Sequence, residues 1–129
     1  MAKIERFEDI DSWNLAREVT RVIYRVSSDG RFAKDFALVN QIRRSAVSIL
    51  SNIAEGFERN GDREFIQFLT IAKGSCGEAR AQLYVALDQK YLEENEFLEI
   101  KNKLIDTSRM ISGLINYLKQ SELKGSKFR

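Results

Sequence analysis

The chain has 129 residues, 43% of them hydrophobic and 31% charged, with a formal net charge of +2; this suits one domain around one core, and a field so weak makes polyanion binding depend on where positive charge sits. Histidine is absent and cysteine occurs once, as Cys76, which removes the commonest general base and excludes an intrachain disulfide or a zinc site of the usual nitrogen and sulfur type. No apolar run approaches the roughly 20 residues of a membrane span, and the opening MAKIERFEDIDSW has no apolar signal core, so a cytoplasmic protein without membrane, metal or cofactor is expected.

There is no proline, and the long segments repeat with helical rather than alternating periodicity. The first predicted helix runs from about Ser12 to Ser27, with Asp11 or Ser12 as N-cap and Leu15, Val19, Val22, Ile23 and Val26 on its apolar face. Ser-Ser-Asp-Gly at 27–30 ends it. The second runs from about Phe36 to Phe57 with Asp35 as N-cap, and stops before the turn dipeptide Asn60-Gly61.

The third follows Asp62 and reaches Gln89, burying Phe65, Phe68, Leu69, Ala72, Cys76, Ala79, Leu83, Ala86 and Leu87. The fourth spans Glu94 to Gln120, with Phe97, Ile100, Leu104, Ile111, Leu114, Ile115 and Leu118 inward. The tail at 121–129 is polar and basic, and loose order is expected there. Helices joined by short loops favour antiparallel neighbours, so the fold class is all-α, an antiparallel up-down-up-down four-helix bundle in one domain.

Two polar patterns stand out. On the second helix, Arg44, Ser48, Ser51, Asn52 and Glu55 fall in one sector at about 100° per residue, opposite Ile42, Ala46, Ile49 and Ile53. If helices two and three pair about Asn60-Gly61, this column meets Ser75, Glu78 and Gln82. The expected result is a register-fixing network of Arg43 or Arg44, Ser48, Asn52 and Glu55 with Ser75, Glu78 and Gln82, in which a buried Glu and Arg need each other. A surface row with no joint role is the alternative. Gly74 and Gly77 lie alongside, each costing roughly 1 kcal/mol against Ala in a helix, which suggests close approach of another group. Reading Glu55 and Glu78 as a catalytic carboxylate pair finds no further residues to complete a site, so no enzyme is expected.

The second pattern is on the first helix, where Arg17, Arg21 and Arg25 recur at every fourth position beside Trp13, Thr20 and Tyr24. Guanidinium groups bind phosphate and aromatic rings stack on unpaired bases. The same residue types are enriched at subunit interfaces, and Trp13 and Tyr24 are the expected oligomer contacts. Lys124, Lys127 and Arg129 add a basic arm able to reach phosphate. The acidic group Glu93, Glu94, Glu96 and Glu99 suits the positive end of the fourth helix rather than a metal.

The run Gln41-Ile42-Arg43-Arg44-Ser45-Ala46-Val47-Ser48-Ile49, then Ser51-Asn52-Ile53-Ala54-Glu55-Gly56, then Phe65, Phe68-Leu69, Ile71-Ala72, Gly74-Ser75 and Glu78, resembles the bacterial four-helix-bundle proteins encoded by intervening sequences in 23S rRNA genes. It is also similar to the related accessory protein of diversity-generating retroelements. The resemblance extends from Phe7 and Trp13 to Tyr91-Leu92. It implies an antiparallel bundle assembled as a homo-oligomer, a pentamer, with nucleic acid or another polypeptide as partner. Phe32-Ala33 stands where the family usually has Phe-Pro, and Lys90 replaces a Gly before Tyr91. The expected function is binding of structured nucleic acid, RNA before DNA, through basic surfaces on a ring. A scaffold for a protein partner is the alternative.

Overall fold

The structure, a computed structural model, describes residues 4–127, with side chains described through residue 121. After a short 3-10 turn at Phe7–Asp9 come five helices among the described residues: α1 (Asp11–Val26), α2 (Gly30–Lys34), α3 (Phe36–Glu58), α4 (Asp62–Asp88) and α5 (Glu94–Lys127). No strand occurs among them. The four predicted helices are α1, α3, α4 and α5. Packing runs round a closed circuit, α1 on α3, α3 on α4, α4 on α5 and α5 on α1.

The core is the inward stripe of each long helix. Val19 and Ile23 of α1, Ile42, Ile49 and Ile53 of α3, Leu69 and Leu83 of α4, and Ile100, Leu104 and Ile111 of α5 are all but inaccessible. Apolar residues at three- and four-residue intervals place these side chains on one face, and burying that face stabilises each by about 1.5–3 kcal/mol. Thr107 sits in this core without an unmet hydrogen bond, because its hydroxyl donates to the Lys103 carbonyl one turn back at 2.7 Å.

Boundaries differ from the sequence reading in four places, each with a local cause. The short helix α2 lies where a loop is expected: Gly30 enters it at φ +63° and Phe32, 1% exposed, pins it to the core. Five residues are too few for periodicity to reveal. The N-cap of α1 is the buried Ile10, not Asp11 or Ser12, and no side chain caps it. Gly61, at φ +119°, precedes α4, so Asp62 is its first residue instead of its cap. Helix α5 continues past Gln120 to Lys127, through Gly125; a single glycine costs a helix only about 1 kcal/mol and there is no proline to stop it.

Other expectations coincide with the structure. The Asp35 carboxylate accepts from the Leu38 N–H at 3.1 Å and caps α3. Lys90 stands at φ +60°, the left-handed position a glycine favours. There the Lys90 N–H donates to Leu87 and the Tyr91 N–H to Ala86, both at 2.9 Å, closing the C-terminus of α4.

Candidate nucleic-acid interface

The α3–α4 pair is antiparallel, and its closest point is glycine-dependent. A Cβ on Gly56 would stand 2.6 Å from the Phe68 Cβ and 3.0 Å from the Phe65 ring. Beyond this point the helices are joined by hydroxyls. The Ser45 hydroxyl, in a residue 2% exposed, lies 2.7 Å from Glu78 Oε1, 2.9 Å from Gln82 Oε1 and 3.0 Å from the Gln41 carbonyl. With one proton to give, it serves the acceptor-only Glu78 carboxylate best. Ser48 and Ser75 share a hydrogen bond at 2.8 Å, and Asn52 donates to the Ser48 carbonyl and hydroxyl at 2.8 and 3.0 Å.

This seam contains Ser48, Asn52, Ser75, Glu78 and Gln82, but no arginine. Arg43 points to the other side of α3, where Nε donates to Ser27 Oγ at 2.9 Å and the outer nitrogen to Ser28 Oγ at 3.1 Å and the Tyr24 carbonyl at 3.4 Å. Its positive charge thus meets the carbonyl end of α1, a favourable pairing with the helix dipole. Arg44 is exposed, and Glu55 pairs instead with Arg59 at 2.9 Å on the surface. Glu78 is itself exposed at the rim of the seam, so, contrary to the expectation of a buried Glu, its carboxylate keeps its hydration and takes a serine hydroxyl without needing an arginine. Ser45, which the sequence reading left out of the network, is its hub; its place one turn before Ser48 and opposite Glu78 was the available signal.

Gly74 and Gly77 have open space around them: a side-chain carbon added at either would meet nothing within 4 Å. Among the described residues the close approach expected there is absent. Along the same outer side of α4, Ile71, Tyr84 and Val85 are exposed by 52%, 43% and 46%.

On the α1 side of α3 the chemistry changes. The Arg43 guanidinium lies 4.4 Å from the centre of the Tyr24 ring, and Tyr24, Asn40, Arg43, Arg44, Val47 and Ser48 line an open cleft of about 840 Å³. Arg17, Arg21 and Arg25 are exposed on α1, with Arg17 over the Trp13 ring at 5.9 Å. Among the described residues no carboxylate pairs with Arg17, Arg21, Arg25 or Arg44; the nearby ion pair on α1 joins Glu18 to Lys103 at 3.1 Å.

Of the two expected interface aromatics, Tyr24 is 41% exposed and carries the Arg43 stack, whereas Trp13 is half-buried against Phe7 at 5.0 Å. Its indole N–H is buried and has no partner among the described residues. Lys124, Lys127 and Arg129 lie outside the residues whose side chains are described. Cys76 is 2% exposed, and burial pushes its thiol up to about 12, against a smaller opposing effect of Arg80.

A further group lies at the start of α3. Tyr91 donates from its hydroxyl to Asp35 at 2.9 Å, which, with burial adding to it, raises the phenol above its ordinary range. The Tyr91 ring stacks on Phe32 at 5.3 Å, and the Arg31 guanidinium lies 5.5 Å from its centre. Phe36, beside them, is 75% exposed.

The model of the 23S rRNA-intervening sequence protein family matches residues 8–113, which include every element that forms the seam and the cleft. The chain belongs to that family. A solved protein of unknown function from the S23 ribosomal protein family of Bacteroides thetaiotaomicron VPI-5482 is similar in structure, with a TM-score of 0.74 and 23% identity over 81% of this chain and 95% of that one. At that identity the likeness speaks to the helical fold. No curated protein matches the chain. Among the described residues no helix is long and apolar enough to cross a membrane.

Proposed function

We propose that this member of the 23S rRNA-intervening sequence protein family is a non-enzymatic, cytoplasmic, up-down-up-down bundle that assembles into a ring and binds structured nucleic acid, RNA before DNA. The observation that carries this reading is the set of exposed arginines without acidic partners, Arg17, Arg21, Arg25 and Arg44, beside the Arg43–Tyr24 stack. Unpaired guanidinium groups offer bidentate donors to phosphate at little desolvation cost, and the Tyr24 ring offers an adjacent stacking face. A ring would repeat this surface, so contacts weak in one subunit add through a shared ligand.

The second reading, a scaffold for a polypeptide partner, draws on the exposed apolar side chains Ile71, Tyr84 and Val85 of α4. With the open Gly74 and Gly77 between them, they also favour assembly with further copies, and the family resemblance implies five. Ionic strength separates the readings. Phosphate binding weakens steeply with salt through counterion release, whereas an apolar interface loses little.

The test is a fluorescence anisotropy titration of a labelled rRNA hairpin and a matched DNA duplex at low and near-physiological salt, with light scattering to count subunits. Binding that prefers RNA, falls steeply with salt, and is lost in the double variant Arg21→Glu with Arg44→Glu while the oligomer persists supports the proposal. Absence of binding by the unaltered protein at low salt overturns it in favour of the protein scaffold.

A further inference from the structure

We infer that the end of the bundle around Phe36 is a stacking platform for unpaired nucleotides, so that the nucleic acid taken by this surface presents a single-stranded segment. This rests on the nucleic-acid reading above and names the kind of ligand. Phe36 is 75% exposed, whereas its aromatic neighbour Phe32 is 1% exposed and stacked on Tyr91. The ring is not a loose loop residue: it is the first residue of α3, held by the Asp35 cap on Leu38.

Arg31, Lys34, Asp35, Ala37 and Tyr91 form a recess with Phe36. The recess carboxylate, Asp35, accepts from the Tyr91 hydroxyl and the Leu38 N–H, and against its one negative charge stand the two cations Arg31 and Lys34, which leaves the recess net positive toward a ligand. Successive turns of α3 carry the surface onward, since positions 36, 40, 44 and 47 share a helix face. That row is Phe36, Asn40, Arg44 and Val47, and its last three members line the cleft beside Tyr24. A ring, an amide and a guanidinium thus follow one another over about 12 Å at 1.5 Å per residue.

The order matches what an unpaired strand offers. A splayed base stacks on the ring, its edge reaches the amide, and the adjoining phosphates meet Arg31, Lys34 and Arg44. Bases inside a duplex are already stacked on each other and cannot use Phe36. Charge complementarity therefore selects a polyanion as occupant, and the exposed ring selects a single strand.

The experiment compares a labelled oligouridine with a labelled RNA duplex, using the unaltered chain, Phe36→Ala and Phe36→Trp. Phe36→Ala should weaken oligouridine binding by about tenfold, leave duplex binding unchanged and leave the oligomer intact. Phe36→Trp should retain affinity and show indole emission, above the Trp13 background, that is quenched on binding. Equal affinity of Phe36→Ala and the unaltered chain for oligouridine overturns the platform; if Arg21→Glu with Arg44→Glu still abolishes binding, the broader nucleic-acid reading stands. Loss of the oligomer in Phe36→Ala also overturns the platform and makes Phe36 a subunit contact. No binding of either RNA by the unaltered chain overturns both.

Discussion

The side of α3 turned toward α4 and the side turned toward α1 hold similar residue types, serines and arginines among them, yet they are satisfied differently. Toward α4, Ser45 lies 2.7 Å from Glu78 and 2.9 Å from Gln82, and Ser48 shares a hydrogen bond with Ser75 at 2.8 Å, so these side chains meet across the seam. Toward α1, Arg43 is held by Ser27, Ser28 and Tyr24, but Arg44 is exposed and pairs with no carboxylate among the described residues. The difference teaches where stability and binding separate on one helix. Polar groups that close on each other fix register, while charges left toward water remain available to a ligand.

The strongest way to break the comparison is at Gly56, where the seam depends on backbone approach. Gly56→Val should destabilise the fold by about 3 kcal/mol, since a Cβ only 2.6 Å from the Phe68 Cβ forces the helices apart. Urea unfolding reads this directly, and a cost below about 1 kcal/mol would show that the turn end of the seam can open freely. Ser45→Ala should cost about 1.5 kcal/mol, because it removes the hydroxyl bonded to the Glu78 carboxylate. The same melts with Glu78→Gln should show a smaller loss, as the amide oxygen still accepts.

On the opposite side, Arg43→Ala should cost about 1 kcal/mol by freeing the carbonyl end of α1. Thermal melts at low and high salt check it, with the loss shrinking as salt rises. Gly74→Ala should raise stability by roughly 0.8 kcal/mol in the monomeric fold, since nothing stands within 4 Å of the added carbon. A loss of subunits in light scattering instead would place a second copy against that glycine. The smallest effect is expected at Arg44→Ala, within about 0.5 kcal/mol of the unaltered chain, with a measurable loss of RNA affinity. An equal loss of stability would erase the distinction between the two sides of α3.

Much of the fold was legible because a repeat of about 3.6 residues leaves its mark on each long helix independently of what it packs against. The buried set of α4, from Phe65 through Leu69, Cys76 and Leu83 to Ala86, follows the expected stripe. The Asp35 cap was legible for the same reason, since it depends on residues three apart in the chain. The short helix α2 was not, because Phe32 acts through the core rather than through a repeat. The candidate site was legible in part. The Arg17, Arg21 and Arg25 column needs helical spacing alone, but its continuation through Arg44 to Phe36 requires α1 and α3 to be brought side by side.

The sequence by itself determined the all-helical class, the apolar stripes, the turn at Asn60-Gly61 and the family, all of which are written in local spacing and residue type. The tertiary structure alone decided which polar groups meet. Helical periodicity gives an angle around one axis, whereas a hydrogen bond between helices depends on their relative rotation and register. The rotation of α3 between its neighbours brings Ser45 to Glu78 and Arg43 to the end of α1, and leaves Arg44 and Phe36 facing outward.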